Sequence, residues 1–338
     1  MAKQLGYACI NMHLRKQGIY TGRSMIRRTF DAKGLDYVSE LCIANTEDLI
    51  KIIQWNEDNG IKVFRMSSEI YPWMSEYEFK DLPDYNKLCK LLKQVGDLAQ
   101  QYGQRLSFHP GQFTVLASPT QKVVDGAWNE LNKSGQIMDL MGLPRSRMAK
   151  INIHIGGAYG NKETALVRFC NNFEKLSESA KSRLTVENDD KASMYSVVDL
   201  YEGVYKRVGI PIVFDYHHHQ FCTGGLTEEQ ALKLAVSTWG DIKPCTHYSE
   251  SRRREHTLIV EDIMAKNKIT ESTLSDFPTI KKLHHDVSKI RVQAHSDLIV
   301  DKIHDYGLDI DVVVEAKHKE LAVKGYINKF EQTLTKVS

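Results

Sequence analysis

Along the chain, short runs rich in Val, Ile and Phe alternate with longer stretches whose apolar residues return every three or four positions. The first pattern marks a buried strand and the second a helix with one apolar face. Eight runs qualify as strands, at residues 5–11, 61–67, 105–109, 150–155, 183–187, 211–215, 242–247 and 310–315. Between them, Asn45-Thr46 precedes Leu49, Ile52, Ile53 and Trp55, and Asn59-Gly60 closes the pattern, which predicts a helix there. Asp84 leads into Leu88, Leu91, Leu92, Val95 and Leu98 in the same way. Residues 123–141, 162–179, 193–208, 227–239 and 321–334 share this spacing. Strand and helix alternating eight times predict an α/β fold closed into a (β/α)8 TIM barrel, as a single domain over residues 1–338.

One stretch breaks the alternation. Between His247 and Ile310, residues 251–291 form an insertion ahead of the last strand, with Arg252-Arg253-Arg254 at its start and an amphipathic segment at 256–266. It is either a helical excursion between barrel elements or a functional segment, a lid or a DNA-facing insertion. No low-complexity tract and no Pro/Gly linker marks a second domain.

Composition narrows the class. Hydrophobic residues at 42% and charged residues at 26% fit a globular protein with a large core. The net charge of +2 means that any nucleic-acid binding must come from a local basic face. Six scattered cysteines without a C-x-x-C pair argue against a disulfide framework and against a zinc ribbon. No stretch is apolar enough to span a bilayer, and the first five residues do not resemble a signal peptide, so a soluble intracellular protein is expected.

The polar residues carry most information where the runs end. The first run ends at Asn11 and the second at Arg65-Met66-Ser67-Ser68-Glu69. The others end at His109, His154, Glu187, Asp215 (with His218 three residues on), His247 and Glu315. In a barrel these ends share one rim, where active sites form. An imidazole or carboxylate buried there costs several kcal/mol unless it is paired or binds a metal. One strand-end histidine is an ordinary residue, but three histidines, two glutamates and an aspartate at successive ends make a ligand set. Nitrogen and carboxylate donors without cysteine suit zinc, manganese or iron, as two or three ions. His295, in Ala294-His295-Ser296-Asp297 on the approach to the last strand, is a further candidate. In His217-His218-His219 the offset from Asp215 favours His218, leaving His217 and His219 solvated or in support of the ligands. Tyr71-Pro72-Trp73-Met74 could stack on DNA but suits packing under a loop better.

Several of these stretches match a known family when taken together. They are Leu5-Gly6-Tyr7-Ala8-Cys9-Ile10-Asn11, Phe64-Arg65-Met66-Ser67-Ser68, Ser107-Phe108-His109-Pro110-Gly111-Gln112 and Ile153-His154-Ile155-Gly156-Gly157. Further on come Leu184-Thr185-Val186-Glu187-Asn188-Asp189, Phe214-Asp215-Tyr216-His217-His218, His247-Tyr248-Ser249 and Val314-Glu315-Ala316-Lys317-His318-Lys319-Glu320. In this order they resemble the UV damage endonucleases, which are related in fold and metal site to the endonuclease IV type of apurinic endonucleases. The resemblance covers residues 5–321 outside 251–291.

The resemblance implies metal ligation by His109, His154, Glu187, Asp215, His218, His247, His295 and Glu315. Glu187 and Glu315 would be bridging carboxylates, and these two with His109 and His247 the catalytic group. Gln112 and Phe113 would probe the lesion, with Tyr7 and Asn11 contacting the damaged site and Arg65 and Lys317 as candidate phosphate contacts. Manganese is the metal the family implies, although the donor set is also compatible with zinc. The partner would be damaged double-stranded DNA, with no membrane, no obligate protein partner and a monomeric chain. Cutting would fall 5′ to cyclobutane dimers and 6-4 photoproducts, with abasic sites as a further candidate, leaving a 3′ hydroxyl and a 5′ phosphate.

Two positions depart from the family pattern. The probing position usually carries Tyr, and Phe113 lacks its hydroxyl. Family members can carry a lysine two residues before the seventh-strand histidine, where this chain has Cys245, with Lys243 two residues further back. The alternatives are an apurinic endonuclease without photoproduct activity, a sugar isomerase on a similar metal barrel, and a binding protein with structural metals.

Overall fold

The computed structural model describes residues 3–331. Its strands are β1 (Gln4–Ala8), β2 (Val63–Arg65), β3 (Arg105–Ser107), β4 (Ile151–Ile153), β5 (Leu184–Glu187), β6 (Ile212–Val213), β7 (Cys245–Tyr248) and β8 (Asp311–Val314). Each falls within or beside a run expected from the sequence, though most are shorter. All pair in parallel, in a five-stranded sheet of order β3-β2-β1-β8-β7 and a three-stranded sheet of order β4-β5-β6. Single parallel bridges, Phe108 to Ile151 and Asp215 to His247, link the two sheets at both edges. The molecule is therefore an α/β fold whose strands follow one another in chain order.

Two cores hold it. The larger packs Val38, Leu49, Ile53, Leu92, Leu131, Phe169 and Val204 of the helices against Leu5, Phe64, Ile151 and Ile212 of the strands. The smaller one, Ala8, Val63, Val213, Trp239, Cys245 and Val313, draws on the opposite faces of five strands. A strand sends alternate residues to opposite faces, so strands covered on both sides read as nearly continuous apolar runs. Gly6 is required where β1 meets β2, because a Cβ there would lie 1.8 Å from the carbonyl oxygen of Val63.

The helices correct the sequence reading at several points. The helix expected from Asn45-Thr46 begins much earlier and runs Arg27–Asp58, broken at Gly34 (φ 62°, ψ −157°). Asn45 and Thr46 look like caps but are buried inside it. The Asn45 amide donates to the carbonyls of Arg23 and Ile70, and the Thr46 hydroxyl bonds Tyr71 at 2.8 Å. Tertiary partners thus satisfy side chains that would otherwise start a helix. The stretch 162–179 divides into Lys162–Phe173 and Glu178–Lys181. In 193–208 the helix starts at Val197 behind a Ser196 capping box and widens into a π turn at Tyr201–Tyr205. The last helix spans Glu320–Tyr326 with a π turn at Ile327–Glu331, and residues 332–334 of its expected range lie outside the described residues. The insertion holds two helices, Arg252–Lys266 and Pro278–Ser288. Trp73 donates its indole N–H to the Met25 carbonyl and Tyr71 is buried, so this aromatic cluster packs beneath a loop. Among the described residues no helix is long and apolar enough to cross a membrane, and all six cysteines are free.

Candidate active site

The C-terminal ends of the strands bring the expected ligands together around Glu187, which ends β5 with its side chain buried. Its Oε2 lies 3.1 Å from His109 Nε2 and 3.0 Å from His247 Nδ1. Its Oε1 lies 3.3 Å from His218 Nδ1 and 3.9 Å from His154 Nε2. Glu315, just past β8, stands 3.2 Å from His247 Nδ1 and 3.6 Å from His295 Nδ1. Asp215 caps the turn Tyr216–His219 by accepting the His218 N–H at 2.7 Å on Oδ1, while its Oδ2 is buried without a partner. Donor atoms of His109, His154 and Glu187, and again of Glu187, Asp215 and His247, lie within 4.8 Å of one another, close enough to hold metal ions.

Proton positions follow from what each ring nitrogen touches. A carbonyl oxygen only accepts, so a ring nitrogen against one must carry the hydrogen. His109 Nδ1 lies 3.1 Å from the Pro110 carbonyl, His218 Nδ1 2.9 Å from that of Asn188 and His295 Nδ1 3.2 Å from that of Glu315. In each neutral ring Nε2 is then the lone pair, and that of His109 faces the Glu187 carboxylate. Two lone pairs 3.1 Å apart need a cation or a proton between them. Histidine ligands of metals are oriented by this kind of second bond.

The electrostatics agree with crowded charge. Burial raises the carboxyl of Asp215 to about 6 against the pull of His218. Burial opposes ionisation of Glu187, but His247 and His154 prevail and hold it well below the usual range. Burial acts on Glu315 in the same sense and is overcome chiefly by Arg65. Burial would lower His154 and His218, yet Glu187 lifts the first to about 9 and Asp215 with Glu187 the second to about 11. Burial drives His247 down to about 3, with Glu187 opposing.

Sequence reasoning missed the floor of this site. Asn152 in β4 donates to Glu187 Oε2 and accepts from the Thr185 hydroxyl at 2.8 Å. Buried Lys150 sets its Nζ 2.9 Å from His247 Nε2. The signal was present, since 150, 152 and 154 alternate onto one face of the strand. Lys243 pairs with Asp309 at 2.8 Å and Asp311 at 3.0 Å, at the opposite end of β8. The lysine beside the seventh-strand histidine is therefore Lys150.

Other expected residues distribute unevenly. A cavity of about 300 Å³ opens over the ligands, bounded by Cys9, Ser68, Gly111, Gln112, Val115 and Gly156. Gln112 is exposed on its lip and Phe113 is 83% exposed beside it. Lys317 is also exposed at this end. Arg65 lines the cavity and is ion-paired with Glu315. Tyr7 and Asn11 do not reach the cavity. Both are fully buried, with Asn11 Nδ2 donating to the Tyr7 hydroxyl at 2.9 Å and that hydroxyl donating to Asn56 at 2.7 Å. The Tyr7 ring belongs to the larger core, and from this first segment Cys9 lines the cavity instead. His217 and His219 are buried rather than solvated, His217 edge-on to His295 with ring centroids 5.7 Å apart.

Comparison with known proteins gives this geometry a context. The family described as UV-endonuclease UvdE matches residues 3–337. A UV-damage endonuclease of Schizosaccharomyces pombe is 33% identical over 97% of this chain, which spans about half (51%) of that relative's length. A UV DNA damage endonuclease of Bacillus mycoides is 32% identical over 85% of this chain and 81% of its own. The crystal structure of SacUVDE superposes with a TM-score of 0.77 at 27% identity, covering 98% of this chain and 99% of that one. Endonuclease IV of Thermus thermophilus shares the fold alone, with a TM-score of 0.55 at 11% identity over 97% and 99% of the two chains. With the family matched along nearly all of its length, the chain belongs to the UV-endonuclease UvdE family.

Proposed function

We propose that this protein is a metal-dependent DNA repair endonuclease on a closed, single-domain (β/α)8 barrel. It hydrolyses the phosphodiester 5′ to UV photoproducts in double-stranded DNA and leaves a 3′ hydroxyl and a 5′ phosphate. The observation that carries this reading is the set of imidazoles gathered on the buried Glu187 and Glu315 carboxylates, with the His109 ring turned by the Pro110 carbonyl so that its Nε2 lone pair faces Glu187. The partnerless Oδ2 of Asp215 adds an anionic donor that nothing else in the fold uses.

This donor set fits two or three divalent cations, manganese first, held by His109, His154, Glu187, Asp215, His218, His247, His295 and Glu315. Bound there, such cations supply Lewis acidity and an acidified water. The remaining work falls to the chain. Asn152 and Arg65 hold Glu187 and Glu315 in place. The cavity takes the flipped lesion, whose weakened pairing and stacking make extrusion less costly than for intact bases. Gln112 and Phe113 enter the gap, where an aromatic wedge offsets part of the lost stacking. Lys317 meets the backbone, whereas Tyr7 and Asn11 act from below by bracing the first loop.

Oligonucleotides with one defined cyclobutane dimer, one abasic site or neither test the reading. With manganese, cutting 5′ to the dimer is expected and the undamaged duplex stays intact. Glu187→Ala should abolish cutting and leave binding of the dimer duplex measurable. Cutting at the abasic site alone would move the assignment to an apurinic endonuclease, and no cutting of either would refute it.

A further inference from the structure

We infer that Glu255, on the first helix of the insertion, is a positioning residue for His295, so that residues 251–291 set the occupancy of one cation site. The inference rests on the reading of His295 as a ligand. The segment carrying His295 returns from the insertion toward β8 with almost no regular structure. Part of its backbone is bonded to the start of the insertion and the residue just before it. Ser251 bridges His295, the Arg252 N–H donates to the Ala294 carbonyl at 2.7 Å, and the Ser296 N–H donates to the Glu250 carbonyl at 2.8 Å.

Glu255 completes the clamp. Its Oε2 accepts the Asp297 N–H at 2.7 Å and its Oε1 the Leu298 N–H at 2.9 Å, two and three residues past His295. The residue is 5% exposed, so little water competes for these bonds. An ionised carboxylate can accept both N–H groups at once, whereas an amide offers one oxygen and turns a donor toward the second N–H. Further along, Glu250 accepts the N–H groups of Val300 and Asp301 in the same manner. On the other side the His295 ring is held by the Glu315 carbonyl and by contact with His217. From the loop after β8 the Lys317 and His318 N–H groups donate to the Ser296 and Asp297 carbonyls at 2.9 and 3.0 Å, while the N–H groups of Asp297 and Leu298 are held from the insertion side by Glu255.

Donor atoms of Glu255, His256 and Asp297 also lie within 4.8 Å of one another, the spacing of a cation site. The arrangement is an ion-pair cluster instead. Both Glu255 oxygens are engaged by backbone, and the Arg252 guanidinium lies 3.4 Å from both Asp297 Oδ2 and His256 Nε2. Positive charge is already in place where an ion would sit.

Manganese titration of the full chain, read by the resonance of free ion, tests the clamp. Wild type should bind more than one ion per chain, and His295→Ala should lose the weakest. Glu255→Gln should weaken that same site at least tenfold and leave the others within twofold. The double variant should be no worse than His295→Ala, because both act on one element. Added manganese should restore cutting by Glu255→Gln. If Glu255→Gln does not fold, Glu255→Asp keeps the charge, shortens the reach and carries the same expectation. Equal weakening of every site, or no weakening, overturns the inference. If His295→Ala loses no ion, the ligand reading of His295 fails instead.

Discussion

Asn152→Leu isolates the contribution of the site's floor. The two side chains branch at the same atom and have nearly the same shape, so packing in β4 is kept and only the amide is lost. The amide bonds Glu187 Oε2 on one side and the Thr185 hydroxyl, at 2.8 Å, on the other. After the change Thr185 keeps a long contact of 3.5 Å with the Ile151 carbonyl, while Glu187 loses its neutral anchor and is left facing imidazoles alone. A bond to an ionised group contributes about 1.5–3 kcal/mol, and the crowding imidazoles put this one at the low end. Partners that orient metal ligands alter metal affinity by about 10- to 100-fold, or about 1.4–2.7 kcal/mol. The assay is incision of a duplex with one cyclobutane dimer across a manganese series. Half-saturation should rise by that factor, while kcat at saturating metal stays within about threefold, since Asn152 does not line the cavity. A lost kcat with unchanged half-saturation would place Asn152 on the substrate and refute this reasoning.

Three more expectations follow from the same geometry. Phe113→Ala should weaken binding of a dimer duplex, relative to an undamaged one, by about 1–3 kcal/mol, the range for one base stacked on an aromatic ring, and Phe113→Tyr should not; equal anisotropy curves for all three proteins would remove Phe113 from recognition. Metal binding requires Asp215 ionised and His154 and His218 neutral, and these groups titrate at about 6, about 9 and about 11, so affinity should rise with pH across that span. Calorimetry at pH 7 in two buffers should then show at least one proton released per chain, and none released would contradict the ligand set. Burial raises Glu130 to about 7 from 4.5, so the fold prefers its neutral form: that contribution is complete below 4.5 and lost as pH climbs through 7, costing up to about 3 kcal/mol at pH 8. Glu130→Gln should accordingly melt higher than wild type at pH 8 and alike at pH 4 by scanning calorimetry.

How much of this was legible beforehand varies by residue. The strands were, because Leu184-Thr185-Val186-Glu187 and Ile151-Asn152-Ile153-His154 must be extended to bury alternate side chains, and each turns polar where it reaches the mouth. Helix starts were less so. Asn45-Thr46 has the chemistry of a cap, but Ile70 and Tyr71, about 25 positions away, claim those side chains. Tyr7 and Asn11 sit in a family-like motif, yet the Tyr7 hydroxyl bonds Asn56 in the core and the Asn11 side chain bonds Tyr7 and the Leu14 N–H.

The sequence by itself determined the order of the strands and marked the eight imidazole and carboxylate side chains proposed as donors, since periodicity and side-chain chemistry are local properties. Only the tertiary structure decided which partner each polar group keeps. Arg65 neutralises Glu315 across 250 positions, Lys150 meets His247 across 97, and Glu255 fastens the loop of His295 across 42 and 43. A buried charge must find an opposite charge or a hydrogen bond, and which one it finds depends on where the folded chain brings distant segments together.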